Sequence, residues 1–107
     1  MKPFYHKIDP DNTDVTRSAD FLFPRAGELI GSGERETDIV SMRERMAKMI
    51  PPLNEEEYYW YMDLRKYGSV PHSGFGMGLE RFVQYLLGIE HIRDVTLYPR
   101  TVTRLSP

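Results

Sequence analysis

The feature that most constrains this chain is the stretch GFGMGLER at residues 74–81, in which three glycines alternate with larger residues. Glycine weakens a strand, because it costs ordering entropy and contributes no side chain to pack. Alternation of this kind therefore indicates that another group lies close against the backbone. A tightly packed sheet crossing is the alternative, whereas the charged pair Glu80–Arg81 disfavours a membrane helix contact.

The elements predicted around this stretch indicate the fold class. Two short strands, Asp20–Phe23 and Glu28–Gly31, are joined by a turn at Pro24–Gly27. The first 17 residues are polar, and DPDNTD within them predicts a turn-rich loop rather than a folded element. The order hairpin, helix, helix, strand, helix is not a βαβ alternation. We therefore predict an α+β fold, an antiparallel β-sheet flanked by helices.

The helices are predicted from apolar spacing and capping residues. Apolar residues at near-helical spacing over 39–49 predict a first helix with Thr37 or Asp38 as its N-cap. A second helix opens at Asn54, where Glu57 three residues later gives a capping box. The third helix is predicted over Leu79–Leu87, directly after the glycine stretch, with Gly88 as its C-terminal cap.

Length and composition set limits on the class of protein. The 107 residues suit one domain at most. A net charge of −2 and a pI of about 5.9 argue against a dedicated nucleic-acid-binding module. The absence of cysteine excludes disulfides and thiolate metal sites. No signal peptide or bilayer-spanning run is found, so we expect a cytoplasmic protein with no membrane association.

The glycine stretch has the chemistry of a nucleotide site. Arg81 stands at the strand-to-helix junction, where its guanidinium fork can hold a phosphate bidentately. Gly76 and Gly78 would leave a flat backbone face for a purine ring. The stretch fits neither the dinucleotide fingerprint nor a P-loop.

A second group of candidates lies in GELIGSGERE, where Glu28 and Arg35 flank the glycines. A carboxylate here can coordinate Mg²⁺, and an arginine can hold a carboxyl or amide oxygen of a small substrate. A surface hairpin with solvated charges is the alternative, and the commoner case. His72, beside the glycine strand, either touches a ligand or is hydrogen-bonded within its loop.

Read together, these stretches resemble one enzyme family. GFGMGLERF, residues 74–82, resembles motif 3 of the class II aminoacyl-tRNA synthetases. The longer stretches YYWYMDLRKYGSVPHSGFGMGLERF with HIRDVTLYPR, and VTRSADFLFPRAGELIGSGERE upstream, are similar to asparaginyl-tRNA synthetases of the archaeal and eukaryotic type. The resemblance runs nearly end to end.

The resemblance implies roles for the ATP-side residues. Arg81 would bind the γ-phosphate end of a bent ATP, and Glu28 would coordinate Mg²⁺ and ATP phosphate. The remaining ATP-binding positions would be Gly76, Gly78, Leu79 and Glu80.

The amino-acid side follows from the same resemblance. Arg35 would grip the side-chain oxygen of asparagine, with Gly31 and His72 beside it. The reaction would form asparaginyl-adenylate and pyrophosphate, followed by transfer to tRNA(Asn). The family commonly has G-G-S before the residue that precedes the arginine, and this chain differs there and carries an extra carboxylate, Glu34.

The resemblance covers only part of a synthetase catalytic core. Motif 1, motif 2 and the anticodon-binding barrel have no counterpart in these 107 residues, which match about the last quarter of the enzyme. We therefore expect a C-terminal portion of the catalytic domain, inactive alone and homodimeric in the full-length enzyme. The alternatives are a fragment of an aspartyl-tRNA synthetase or of a synthetase-like asparagine synthetase, and a non-catalytic nucleotide- or partner-binding relic.

Overall fold

The computed structural model describes residues 3–105 and has the predicted α+β architecture. Its strands and helices are β1 (Ser18–Phe23), β2 (Gly27–Glu34), α1 (Ile39–Lys48), α2 (Tyr59–Lys66), β3 (Ser73–Met77) and α3 (Leu79–Leu87). Short 3₁₀ turns lie at Glu55–Tyr58 and Ile92–Asp94. In the described part of the chain, no helix is long and apolar enough to cross a membrane.

The three strands form one antiparallel sheet in the order β1-β2-β3. Two backbone bonds fix the pairing of β2 with β3: Arg35 donates to the carbonyl of His72 at 2.9 Å, and Gly78 donates to Leu29 at 3.1 Å. The residue directly after β2 thus pairs with the residue directly before β3, and Leu29, early in β2, pairs with the residue directly after β3, which is the antiparallel sense. The predicted fold class is confirmed.

The β1–β2 hairpin is longer than predicted. The turn falls where expected, with Arg25 and Gly27 at positive φ values of 67° and 69°. The prediction that the second strand ends at Gly31 is wrong, because β2 continues to Glu34. The backbone of Glu34 donates to the carbonyl of Arg17, just before β1, at 2.8 Å. This backbone pairing outweighs the weak strand propensity of Gly-Ser-Gly.

The N-cap of α1 is Asp38, which is one of the two residues predicted for that position. Its carboxylate accepts hydrogen bonds from the backbone of Val40 at 3.3 Å and of Ser41 at 3.0 Å. These bonds satisfy amide groups that have no partner inside the helix, which is how a cap fixes a helix start.

The capping box predicted at Asn54 is replaced by a 3₁₀ turn. The Asn54 side chain accepts from the backbone of Glu56 at 3.0 Å, and Glu57 donates to the Asn54 carbonyl at 3.1 Å. The tighter i→i+3 bond pattern, common at helix starts, moves the beginning of α2 to Tyr59.

The chain divides into two compact units, and each is described by itself. Unit 1 consists of residues up to 19 and 32–74, and unit 2 of residues 20–31 and 75 onward. The core of unit 1 is formed by Phe4, Met42, Met46 and Met62. The N-terminal 17 residues differ from the prediction in one respect. DPDNTD is irregular, as expected, but Phe4, which precedes it, is buried in the core. A single aromatic residue gives no periodic signal in a sequence.

Unit 2 has few buried side chains. Leu29 is its one buried apolar residue within the described range, and none of the α3 side chains is fully buried. Phe23 and Tyr85 make an edge-to-face ring contact, with centroids 5.1 Å apart. As predicted, α3 covers Leu79–Leu87 and ends at Gly88, whose φ of 64° suits glycine.

The core of unit 1 predicts a large cost for Met42→Ala. Met42 is fully buried, so truncation removes apolar contacts and leaves a cavity, with an expected loss of about 2–5 kcal/mol in the free energy of unfolding. Val40→Ala, at an exposed position of the same helix, is the control and should change stability by less than about 0.5 kcal/mol. Urea unfolding of both variants measures the difference, and equal effects would contradict the described core.

Candidate active site

Arg81 of unit 2 is held at the start of α3 by the backbone of β2. Its Nη1 donates to the backbone carbonyl of Glu28. The residue is exposed, and a guanidinium carries five N–H donors, so donors remain for a ligand. In the described residues, no carboxylate is paired with Arg81. The side chain is therefore anchored at one nitrogen and retains its charge for an anionic group.

The glycines before Arg81 differ in their surroundings. A Cβ built at Gly76 would meet no atom within 4 Å, so its backbone lies open, as a flat ligand surface requires. A Cβ at Gly78 would lie 3.5 Å from Cβ and Cδ of Arg81, so the space there is bordered by the arginine stem. Leu79 and Glu80 are exposed in the first turn of α3.

Two carboxylates of the hairpin lie close to one glycine. A Cβ built at Gly31 would stand 3.1 Å from Oε1 of Glu28 and 3.5 Å from Oδ1 of Asp20. Sequence reasoning singled out Glu28 and missed Asp20, which only the register of the hairpin brings alongside. Carboxylate oxygens are suitable Mg²⁺ ligands.

The two carboxylates fit the protein-supplied part of a Mg²⁺ site in which phosphate oxygens and water are the other ligands. In residues 3–105, no group of three or more His, Cys, Asp or Glu side chains is arranged to hold a metal ion. Mg²⁺ in nucleotide enzymes is commonly bound by one or two carboxylates together with phosphate oxygens and water. Asp20 and Glu28 match that pattern.

Arg35 of unit 1 directly follows β2 and lies beside the start of β3. Its backbone bonds to His72, and its Cζ lies 5.2 Å from the ring centroid of Tyr5. A Cβ built at Gly74 would stand only 3.0 Å from its Nη2. In the part of the chain that the structure describes, no carboxylate is paired with Arg35. Tyr5 and Gly74 were not predicted as site residues.

His72 is tied into its own loop. Its Nδ1 lies 2.8 Å from the carbonyl of Val70, and the side chain is exposed. The local hydrogen bond corresponds to the simpler of the two interpretations drawn from the sequence. A contact of its side chain with the amino acid stays a prediction, as does one for Gly31.

Glu34, the unusual carboxylate beside Arg35, is occupied by two other cations. Lys7 contacts its Oε1 at 2.9 Å and Arg17 its Oε2 at 3.1 Å. Hydrogen bonds from Lys7 and Arg17 hold the pKa of Glu34 below its usual value. Its negative charge is thus compensated within unit 1 without Arg35.

A family model for class II tRNA synthetases (D, K and N) matches residues 1–102, nearly the whole chain. The chain belongs to this family. The resemblance drawn from motif 3 is thereby confirmed, and the letters of the model denote the aspartate, lysine and asparagine enzymes.

Several similar proteins in this synthetase family are asparagine enzymes. An asparagine–tRNA ligase from Pelotomaculum thermopropionicum is 48% identical over 108 residues, covering all of this chain and 25% of the relative. An asparaginyl-tRNA synthetase from Pyrococcus horikoshii, solved with asparaginyl-adenylate, is 45% identical with a TM-score of 0.88, over 99% of this chain and 24% of that one. The aspartyl-tRNA synthetase of Entamoeba histolytica is 34% identical with a TM-score of 0.84, over 100% and 21%. This chain therefore spans about a quarter of the length of the relatives it matches.

The Glu34 ion pairs predict a specific pH dependence of stability. A carboxyl group whose pKa is lower in the folded state contributes stability above its unfolded pKa, and this contribution is lost as pH falls through the folded pKa. Glu34→Gln should therefore lower stability near neutral pH and reduce the loss between about pH 5 and about pH 3.

Urea unfolding of the wild type, Glu34→Gln and the exposed control Glu44→Gln at these pH values measures the effect. If the two variants followed the same pH profile, the ion pairs of Glu34 would have no energetic weight.

Proposed function

We propose that this chain forms the motif 3 part of the active site of an asparaginyl-tRNA synthetase and binds asparaginyl-adenylate. The observation that carries the proposal is that unit 2 contains both an anchored arginine without a carboxylate partner, at the glycine strand, and two carboxylates in the hairpin. In unit 1, described by itself, the charge of Arg35 also has no carboxylate partner among the described residues. Phosphates, a divalent cation and a polar amino-acid side chain are what such groups bind.

The activation step needs positioning and charge compensation rather than a protein nucleophile. The carboxylate of asparagine attacks the α-phosphate of ATP, which forms the adenylate and releases pyrophosphate. Arg81 holds the phosphate end of ATP, and the open backbone at Gly76 lies under the adenine side. Reactants fixed in this way react faster, because their orientation is set and developing negative charge is stabilised.

Mg²⁺, held by Glu28 and Asp20, would neutralise phosphate charge when bound. Gly31 carries no side chain between these carboxylates, where a Cβ would crowd Glu28 at 3.1 Å.

Arg35 binds the side-chain oxygen of asparagine, with Gly31 and His72 on the amino-acid side. Leu79 and Glu80 complete the ATP-binding stretch at the start of α3.

Asparagine is proposed as the amino acid rather than aspartate. Identity is 45% to the Pyrococcus horikoshii asparaginyl enzyme, whose structure contains asparaginyl-adenylate, and 34% to the aspartyl enzyme. The ligand of that relative is the compound whose amino-acid end Arg35 would hold in this chain.

The chain is proposed to act as part of a longer enzyme. It spans about a quarter of its relatives, and the exposed apolar side chains of α3, Leu79, Leu86 and Leu87, are typical of surfaces covered by further polypeptide. In that enzyme the partners would be ATP, L-asparagine, tRNA(Asn) and a second subunit, and the location would be the cytoplasm. The placement of this chain at the C-terminal end of the catalytic domain stays a prediction.

The direct test is calorimetric titration of the chain with a non-hydrolysable asparaginyl-adenylate analogue and with its aspartyl counterpart. We expect preferential binding of the asparaginyl compound. Arg81→Ala and Arg35→Ala should each weaken it by about 10-fold to 100-fold, because each removes a charge-assisted hydrogen bond. Arg93→Ala, an exposed arginine in the Ile92–Asp94 turn, is the control and should bind as the wild type does.

A folded chain that binds neither compound would contradict the proposal and favour a non-catalytic relic. A preference for the aspartyl compound would favour an aspartyl-tRNA synthetase.

The carboxylate pair is tested with a non-hydrolysable ATP analogue titrated with and without Mg²⁺. Glu28→Gln and Asp20→Asn should remove most of the Mg²⁺-dependent gain in affinity, because each removes one anionic ligand. Asp94→Asn, outside the hairpin, should retain it. If all three variants kept the Mg²⁺ dependence, the hairpin would not be the metal site.

A further inference from the structure

The backbone on both sides of Arg35 is fixed by hydrogen bonds within unit 1. Glu36 donates to the carbonyl of Tyr5 at 2.9 Å, and Lys7 donates to the carbonyl of Glu34 at 2.9 Å. Arg35 itself donates to His72 at the same distance. The segment 34–36 is therefore clamped between the N-terminal residues and the chain that leads into β3.

The acids that flank Arg35 in sequence are both occupied by other groups. Glu34 pairs with Lys7 and Arg17. The Oε1 of Glu36 accepts from the backbone of Thr37 at 2.9 Å and of Asp38 at 3.1 Å. Neither carboxylate competes for the guanidinium of Arg35, whose charge is left for a ligand.

The guanidinium of Arg35 is bordered on one side by the Tyr5 ring and on another by Gly74. Its Cζ lies 5.2 Å from the centroid of the Tyr5 ring, within the range of a cation–π contact. At Gly74, a Cβ would stand 3.0 Å from Nη2 and 3.2 Å from Nε, closer than side chains normally approach. A side chain at position 74 would therefore require the guanidinium to move by a few tenths of an ångström.

The Tyr5 ring is itself held in place by contacts with other rings of unit 1. Its ring makes edge-to-face contacts with Phe4 at 5.4 Å, His6 at 4.8 Å and Tyr61 at 6.4 Å between centroids. Phe4 is a buried core residue. The ring therefore occupies a fixed position that the arginine can rest against.

We propose that Tyr5 and Gly74 are positioning residues that set the guanidinium of Arg35 before the amino acid binds. This inference rests on the proposed function. The Nε–Nη2 edge lies against Gly74. Nη1 is not among the three atoms nearest that position, so its N–H groups remain for a side-chain oxygen of the substrate. A group fixed in advance also loses less freedom on binding.

The positioning is tested without ligand by NMR of the arginine-labelled chain. Protons beside the face of an aromatic ring are shifted upfield, so the Arg35 side-chain protons should be shifted in the wild type. Tyr5→Phe should retain the shift, and Tyr5→Leu should abolish it. Gly74→Ala should change it, because the added methyl group moves the guanidinium. An unshifted Arg35 in the wild type would overturn the inference.

The effect on binding is tested by titrating the same variants with the asparaginyl-adenylate analogue. Gly74→Ala and Tyr5→Leu should weaken its binding by about 10-fold, and Tyr5→Phe should retain it. Gly76→Ala, two residues along the same strand, should leave the Arg35 shift unchanged, because a Cβ there meets no atom within 4 Å.

The two accounts fail in different ways. A wild type with a shifted Arg35 that binds neither analogue would refute the proposed function and not the positioning by Tyr5 and Gly74. Wild-type affinity for the asparaginyl compound in both Gly74→Ala and Tyr5→Leu would overturn the inference and leave the proposed function standing.

Discussion

The antiparallel pairing of β2 with β3 is the interaction on which both groups of candidate residues depend. In unit 1, the bond from Arg35 to His72 brings Arg35 alongside Gly74. In unit 2, the bond from Gly78 to Leu29 places the start of α3 where Arg81 reaches the carbonyl of Glu28. A slip of one residue would turn every β2 side chain to the opposite face of the sheet and separate these partners.

Charge is distributed so that the groups assigned to ligands are left without protein counter-charges. Glu34 has two cations, and Arg43 is bound by Glu55 through two nitrogens, the closest contact being 2.7 Å. These pairs stabilise unit 1 and have no assigned part in binding. Among the described residues, Arg35 and Arg81 have no carboxylate partner, while Asp20 and Glu28 lie near each other without an ion pair. Like charges held together favour binding of an ion of opposite sign.

The sequence predicted most of what local patterns encode. The hairpin turn, the Asp38 cap and the bounds of α3 follow from turn, capping and periodicity rules, and the structure contains them. The sequence did not predict the burial of Phe4, the extension of β2 to Glu34, or the 3₁₀ turn after Asn54, because tertiary pairing and packing decide these features. For the same reason Asp20, Tyr5 and Gly74 were missed. Each gains its place beside a candidate residue that is distant in sequence.

The central claim is that these residues form asparagine-activating machinery, and a chimera tests it most directly. This chain would replace the matching 108 residues of the Pelotomaculum thermopropionicum asparagine–tRNA ligase, to which it is 48% identical. Asparagine-dependent exchange of pyrophosphate into ATP would then be measured. The account predicts exchange with asparagine, none with aspartate, and its loss in the Arg81→Ala chimera. A folded chimera without exchange, or one activated by aspartate, would contradict it.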